Sequence, residues 1–450
     1  MRSRLRRTAL TGFAATAAFL LVTDLASATP PPAAAAVRSV LGDDFLWGVA
    51  ASGFQSEGNA PDSNWTRYIG EKGYDPYENA GDFYSRYASD IALAAHLGAK
   101  VFRVGIEWAR LQPQPAGWDE QAFRFYDAVV AAILDAGMQP MLTLDHWVYP
   151  GWAADRGGWM DPAMVTDWLD NARHVVDRYA DWNPVWVTVN EPVAYIMHEV
   201  RHNGTDAAVM LDRIAEAHNN IYDYIHRVQP GAQVTSNVGY VAGAEPEVNG
   251  PLMDRIGEKL DFIGVDYYFG LESPEVKAAT RPDGSLPAPV GMWDLPIRPE
   301  GIYYALQHYS KRFPDKPLYI VENGMPTENG NARPDGYTRA DHVRDTVYWL
   351  ERAKADGMNL IGYNYWSITD NYEWGSYAPR FGLYTVDVLD DPTLTRQPTD
   401  AVDAYRRIIA ANGVPTSYLP VRELSDCALV DPPASCETPV DVLERSNSTA

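Results

Sequence analysis

The 450-residue chain is expected to fold as an α/β protein, a closed (β/α)8 barrel of the TIM type. Three observations point there. Eight short apolar, β-branched runs alternate with longer stretches of helical period. Polar and aromatic residues gather where those runs end, as they do at the C-terminal rim of a barrel. No glycine-rich loop follows the first run, as the dinucleotide-binding open sheets would have, although the alternation alone leaves an open sheet possible.

The strand runs are Phe45–Ser52, Lys100–Trp108, Gln139–Trp147, Val185–Asn190, Gln233–Val241, Leu260–Tyr268, Pro317–Glu322 and Asn359–Trp366. Between most of them lie helical patterns: Asp82–Leu97, Glu120–Ala136, Pro162–Tyr179, Leu211–Val228, Glu300–Phe313 and Arg339–Ala355. Barrels of this kind exceed 400 residues as one domain, so residues 41–416 are read as a single catalytic unit.

The flanks differ in character. Arg2, Arg4, Arg6 and Arg7 precede an apolar stretch, Ala9 to Val22, that is too short to span a bilayer stably. Ala26-Ser27-Ala28 then offers a small-x-small cleavage site, so residues 1–28 are expected to be a signal peptide and 29–40 a Pro/Ala spacer. Arg6-Arg7 leaves the general and twin-arginine export routes both open. Residues 417–450 form a Pro-, Ser- and Asp-rich tail that holds the two cysteines, Cys427 and Cys436. In an exported protein such a pair suggests a local disulfide, two unrelated thiols being the alternative. The expected location is extracellular, with no membrane attachment after cleavage.

A formal net charge of -23 disfavours a nucleic-acid partner, because phosphate binding needs clustered Lys and Arg. The 14 Trp and 27 Tyr suit stacking on sugar faces, although a large core also absorbs such rings. The rim residues sharpen this. Gln55 and Glu57 follow the first run, Glu107-Trp108 the second, and His146-Trp147 the third. Asn190-Glu191, Asn237, Asp266-Tyr267-Tyr268, Glu322-Asn323 and Trp366-Ser367 complete the circle. Carboxylates, amides and indoles around one mouth suit a carbohydrate, which presents hydroxyl edges and an apolar face. Glu191 and Glu322, at the fourth and seventh exits, supply the two carboxyls that glycoside cleavage requires. Either one alone could equally be a solvated loop residue.

Ordered motifs decide between these readings. They run from Phe45-Leu46-Trp47-Gly48 to Gln55-Ser56-Glu57-Gly58, then Phe102-Arg103 with Trp108 and Arg110, His146-Trp147, and Thr188-Val189-Asn190-Glu191-Pro192. Asp261-Phe262-Ile263-Gly264-Val265, Tyr267-Tyr268 and Ile320-Val321-Glu322-Asn323-Gly324 follow. Trp366-Ser367, Asp370-Asn371-Tyr372-Glu373-Trp374 and Arg380-Phe381-Gly382-Leu383 close the set. Across residues 45–413 this resembles the family 1 glycoside hydrolases, the β-glucosidase and β-galactosidase group.

The resemblance implies a retaining β-glycosidase with Glu191 as acid/base and Glu322 as nucleophile. It implies that Asn190 holds the sugar 2-hydroxyl and that Arg103 and Tyr268 flank Glu322. It further implies that Gln55, His146 and Glu373 bind the 3-, 4- and 6-hydroxyls, with Trp366 and Trp374 in the same subsite and Trp147 and Asp266 also at the substrate. The substrate is then a small or oligosaccharide β-glycoside, and no cofactor or metal is required. The carboxylate of Glu373 stands where the 6-phosphoglycosidases of the family carry a phosphate cradle, which implies an unphosphorylated sugar. The plant thioglucosidases lack the acid/base Glu that is kept here. Asp266 departs from the usual Asn, Glu107 from a frequent Ser and Phe83 from a frequent His, and the stretch after Pro192 is compact. Transglycosylation by the same two glutamates is an alternative, and a sugar-binding protein without catalysis a weaker one.

Overall fold

A computed structural model describes residues 40–72, 74–269, 292–295, 297–424 and 439–442, and it closes the eight runs into a parallel barrel. The signal segment, the spacer up to residue 39 and the Cys427–Cys436 pair lie outside the described residues. Leu46–Ala50, Val101–Gly105, Gln139–Asp145 and Val185–Val189 pair in sequence order. Ile263–Asp266, Leu318–Glu322 and Leu360–Trp366 continue the circle, and the last of these pairs with the first strand. The open-sheet alternative is thereby excluded.

The fifth run is divided. Gln233–Thr235 pairs with the fourth strand and Val238–Gly239 with the sixth. Ser236 and Asn237 in between bond to neighbours on other strands. The Ser236 hydroxyl donates to the Val189 carbonyl at 2.8 Å, and the Asn237 carbonyl accepts from the Glu191 amide at 3.0 Å. The break thus ties the fifth strand to the residues at the mouth.

Alternation along each strand separates two apolar layers. Val101, Met141, Val185, Val187, Tyr319 and Val321 fill the barrel interior with Phe262. Phe102, Val104, Leu142, Leu144 and Ile320 belong to the larger core that also takes in the helices. Among these helices, Phe83–Leu97, Glu120–Asp135, Met164–Tyr179, Ala207–Val228, Gly301–Arg312 and Arg339–Ala355 match the expected patterns within a few residues. Caps explain three of the starts, with Asp206 accepting from the Ala208 and Val209 amides at the Ala207–Val228 helix. The Asp119 carboxylate accepts from the Gln121 and Ala122 amides, and Thr338 with Asp341 forms a capping box. Two helices without an expected counterpart, Pro192–Asn203 and Asp400–Ala411, complete the ring.

The first part of the C-terminal tail is anchored. Tyr418 donates to Asp345 at 2.6 Å, and the Val421 and Arg422 amides reach the same carboxylate at 2.8 and 2.9 Å. This carboxylate, fully buried on the Arg339–Ala355 helix, therefore holds the segment beyond the barrel against it.

Candidate active site

A cavity of about 480 Å³ opens at the C-terminal ends of the strands. Gln55, His146, Trp147, Asn190, Glu191, Tyr268, Glu322, Trp366, Glu373 and Trp374 all line it. Gln55 and Glu373, 318 positions apart in sequence, meet there because the barrel strands end at one rim.

Arg103 organises one side. Its side chain is fully buried, and each guanidinium nitrogen has a partner: Nε donates to Thr143 Oγ1 at 2.9 Å, Nη1 to Glu322 Oε1, and Nη2 to Asn190 Oδ1 at 2.7 Å. Tyr268 donates to the other Glu322 oxygen at 2.7 Å. Glu322 is thus fixed by a cation on one oxygen and a hydroxyl on the other, while its carboxylate still faces the cavity. In the neighbouring Glu322-Asn323-Gly324 run, a Cβ on Gly324 would stand 2.0 Å from the Trp366 carbonyl oxygen, so only glycine fits the contact between the seventh and eighth strands.

Glu191 is held differently. It caps the Pro192–Asn203 helix with φ 39°, a left-handed conformation rare outside glycine and typical of constrained functional positions. Its carboxyl lies over Gly239, where a Cβ would come within 2.3 Å of Oε1. Burial pushes its pKa up to about 8, reinforced by the like charges of Glu322 and Glu373 and opposed by Arg103. Trp147 and Trp374, at φ 71° and 53°, share the left-handed conformation. Their rings meet edge to face at 4.9 Å, and the Trp147 indole donates to the Asn190 carbonyl at 2.7 Å.

Opposite them lies a polar cradle. Glu373 accepts from the Trp366 indole at 2.8 Å and from Gln55 Nε2 at 2.9 Å, while Ser52 donates to Gln55 Oε1 at 2.6 Å. Burial raises the Glu373 pKa to about 8, against those hydrogen bonds. The His146 ring stacks on Trp366 at 5.9 Å, and burial together with Arg103 holds it neutral by lowering its pKa well below the usual range. His146 Nε2 lies 3.4 Å from Asn190 Nδ2, which sets the ring beside that amide at the cavity wall.

Three carboxylates from the expected rim do not line the cavity. Asp266 is buried behind the wall, its Oδ2 taking a hydrogen bond from Asn237 Nδ2 and its Oδ1 having no hydrogen-bond partner among the described residues. Strand pairing places it between Gly239, beneath Glu191, and Glu322. Burial, then Glu322 and Glu191, push its pKa well above the usual carboxylate range. Glu57 and Glu107 are buried behind the first two strands. Glu57 accepts from Arg110 at 2.8 Å and Tyr126 at 2.9 Å, whereas a Cβ on Gly53 would strike Glu107. Two residues without an expected role prove central, Thr143 and the rim residue Asn237. Thr143 fixes Arg103, and Asn237 joins Asn190, at 2.7 Å, to Asp266. Thr143 was visible as an inward polar residue within an apolar strand, and Asn237 as a polar strand exit.

A (β/α)8 barrel with two carboxyls at its mouth is the architecture of a glycoside hydrolase. The chain belongs to glycosyl hydrolase family 1, whose model matches residues 37–228 and 205–414. It is 27% identical to beta-glucosidase A of Thermotoga maritima over 446 residues, covering 83% of this chain and 98% of that one. It is 29% identical to the galactolipid galactosyltransferase SFR2 of Arabidopsis thaliana over 381 residues, covering 74% of this chain. The chain spans only 58% of that relative's length, and 56% of its rice counterpart's. Among solved structures, the beta-glycosidase of Pyrococcus horikoshii superposes with a TM-score of 0.71 at 26% identity, covering 83% of this chain and 95% of the other.

Proposed function

We propose that the chain hydrolyses unphosphorylated β-glycosides, β-glucosides foremost, with Glu322 as nucleophile and Glu191 as acid/base. The observation that carries this is the division between the two carboxyls. Glu322 has a guanidinium and a phenol donating to its oxygens, as an attacking carboxylate needs. Glu191 retains its proton up to about pH 8, as an acid must to protonate the leaving oxygen near neutrality. Glu322 attacks the anomeric carbon while Glu191 donates its proton, forming a covalent glycosyl-enzyme. Glu191, now a base, then activates the water that releases the sugar. Asn190, fixed by Arg103 and Asn237, takes the 2-hydroxyl, while Gln55, His146 and Glu373 hold the 3-, 4- and 6-hydroxyls against Trp366 and Trp374.

Proton NMR of early turnover tests the mechanism. The first anomer released is expected to be β, and α-product at early times would overturn the assignment. The same spectra address a second reading, favoured by the Arabidopsis relative's name as a galactosyltransferase. Accumulation of new glycosides in place of free sugar would identify transfer as the main reaction. The basic, then apolar, N-terminus supports export with cleavage after Ala28, which places Thr29 at the N-terminus of the mature protein on direct sequencing.

Asp266 provides a further expectation. Burial, then the charges of Glu322 and Glu191, push its pKa well above the usual carboxylate range and favour the neutral acid, whose charge an amide matches. Asp266→Asn should therefore keep kcat/KM within about threefold at pH 6, because no charge changes there. At alkaline pH, Glu191 loses its proton near pH 8 and activity falls, in steps coupled to its neighbours. Removing an ionisable neighbour eases that loss, so the alkaline limb should move down by a fraction of a pH unit. A tenfold loss at pH 6 would show instead that an ionised Asp266 is needed.

A further inference from the structure

The third strand ends in Asp145, a buried carboxylate with no part in the reaction as described. Its Oδ1 accepts from the Trp147 amide at 2.8 Å, and its Oδ2 from the Trp168 indole at 2.8 Å. Its backbone carbonyl accepts from the Asn190 amide at 2.9 Å, so the residue lies directly beside the end of the fourth strand. The carboxylate thus faces donors on both sides, Trp168 belonging to the Met164–Tyr179 helix.

The Trp147 amide is the informative partner. At φ 71° Trp147 holds a conformation that a residue with a Cβ rarely adopts and that persists only where its surroundings fix it. Asp145 holds its amide, and the buried Asn64 donates from Nδ2 to its carbonyl at 2.9 Å. Both peptide groups of Trp147 are therefore gripped by buried polar side chains. The ring they aim packs parallel to Tyr195, centroids 5.9 Å apart, and its indole nitrogen donates to the Asn190 carbonyl at 2.7 Å.

That carbonyl and the Glu191 amide belong to one peptide group. The Trp147 indole holds its oxygen, and the Asn237 carbonyl receives its N–H at 3.0 Å. With both ends fixed, the peptide plane holds Glu191 at φ 39° and directs its side chain over Gly239. The Asn190 side chain has anchors of its own in Arg103 and Asn237. A change at the Asn190 carbonyl therefore falls on Glu191 rather than on the contact to the sugar 2-hydroxyl.

We propose that Asp145 is a positioning residue for the acid/base: through the amide and indole of Trp147 it fixes the Asn190–Glu191 peptide and aims the Glu191 carboxyl at the leaving oxygen. The inference rests on Glu191 being the proton donor. A misplaced donor penalises basic leaving groups and spares those that depart without a proton, and a shift of about 1 Å costs about 10²-fold. A carboxylate that served only to bind the Met164–Tyr179 helix through Trp168 would weaken all substrates alike.

The test measures kcat/KM for phenyl, p-nitrophenyl and dinitrophenyl β-glucosides. In Asp145→Ala the phenyl-to-dinitrophenyl ratio should fall at least about fivefold, while the dinitrophenyl value stays within about threefold of the unsubstituted enzyme. Asp145→Asn keeps the volume but offers one acceptor where the carboxylate offered two. Its ratio should fall at least about twofold, and it carries the comparison if the alanine variant does not fold. An unchanged ratio in the folded variants, or equal losses on all three substrates, would overturn the inference.

A double-mutant cycle shows whether the effect passes through Trp147. Trp147→Phe removes the indole N–H, and in that background Asp145→Ala should lower the ratio by less than about twofold more. A full, additive fall would overturn the proposed route. Glu191→Ala supplies the reference. If its ratio does not fall, the acid/base reading fails together with the inference. A fall there and none in the Asp145 variants overturns the inference alone.

Discussion

Glu322→Ala is expected to reduce turnover by on the order of 10⁴-fold or more on every β-glycoside, because it removes the carboxylate that attacks the anomeric carbon. Thr143 and Asn190 would still hold two of the three guanidinium contacts of Arg103, but the buried charge would lose its counter-ion. Removing one partner of such a pair costs about 3–5 kcal/mol, so thermal unfolding should accompany the kinetics. Azide separates lost chemistry from lost structure. As a small anion it fits the space beside Arg103, attacks the anomeric carbon in place of the carboxylate, and should release a glycosyl azide of inverted, α configuration. A folded variant that azide does not rescue would place the nucleophile elsewhere. A retained azide product would do the same.

Glu191→Ala should divide substrates by leaving group. A general acid contributes about 10²–10⁴-fold, and chiefly where the departing oxygen is basic. Alkyl and sugar glycosides should therefore lose activity in that range, while dinitrophenyl glycosides, which need little protonation, should form the glycosyl-enzyme nearly as before. Water then lacks its base, the intermediate accumulates, and mass spectrometry should find the sugar attached to Glu322. Azide needs no base and should turn this intermediate over to a β-glycosyl azide. The alkaline limb near pH 8 should also disappear for activated substrates, because the titrating acid is gone. Equal losses on all leaving groups, with no adduct, would refute the separate roles of the two glutamates.

Much of this molecule is local information. Period-two apolar runs separated by helical patterns specify strands and helices because they bury one face each, and eight such alternations have few ways to pack. The matching strands differ from the expected runs mostly by a trimmed residue or two at the ends. The glutamates, Asn190 and Tyr268 were legible for the same reason: each ends an apolar strand, and a strand end in a barrel is a place on the rim. The Asp400–Ala411 helix was not marked, although its apolar positions face the core, because the eighth strand is followed by a long irregular stretch before the helical period resumes.

What only the tertiary structure decided is which polar side chains face the cavity and which face one another. Glu57, Glu107 and Asp266 stand at strand exits as plainly as Glu191 does, yet they are buried behind the wall. Their direction depends on Arg110, Tyr126, Gly53 and Asn237, residues on other elements that no local pattern connects to them. The division of the fifth run is of the same kind, since the Asn237 carbonyl meets the Glu191 amide from the neighbouring strand. The pairing of Arg103 with Glu322 spans 219 positions, and the raised pKa of Glu191 comes from burial that exists only once the barrel has closed. Sequence determines backbone periodicity and the residue at each rim position, because both follow from neighbours along the chain. Side-chain direction and protonation are set by contacts across the barrel, and these exist only in the folded protein.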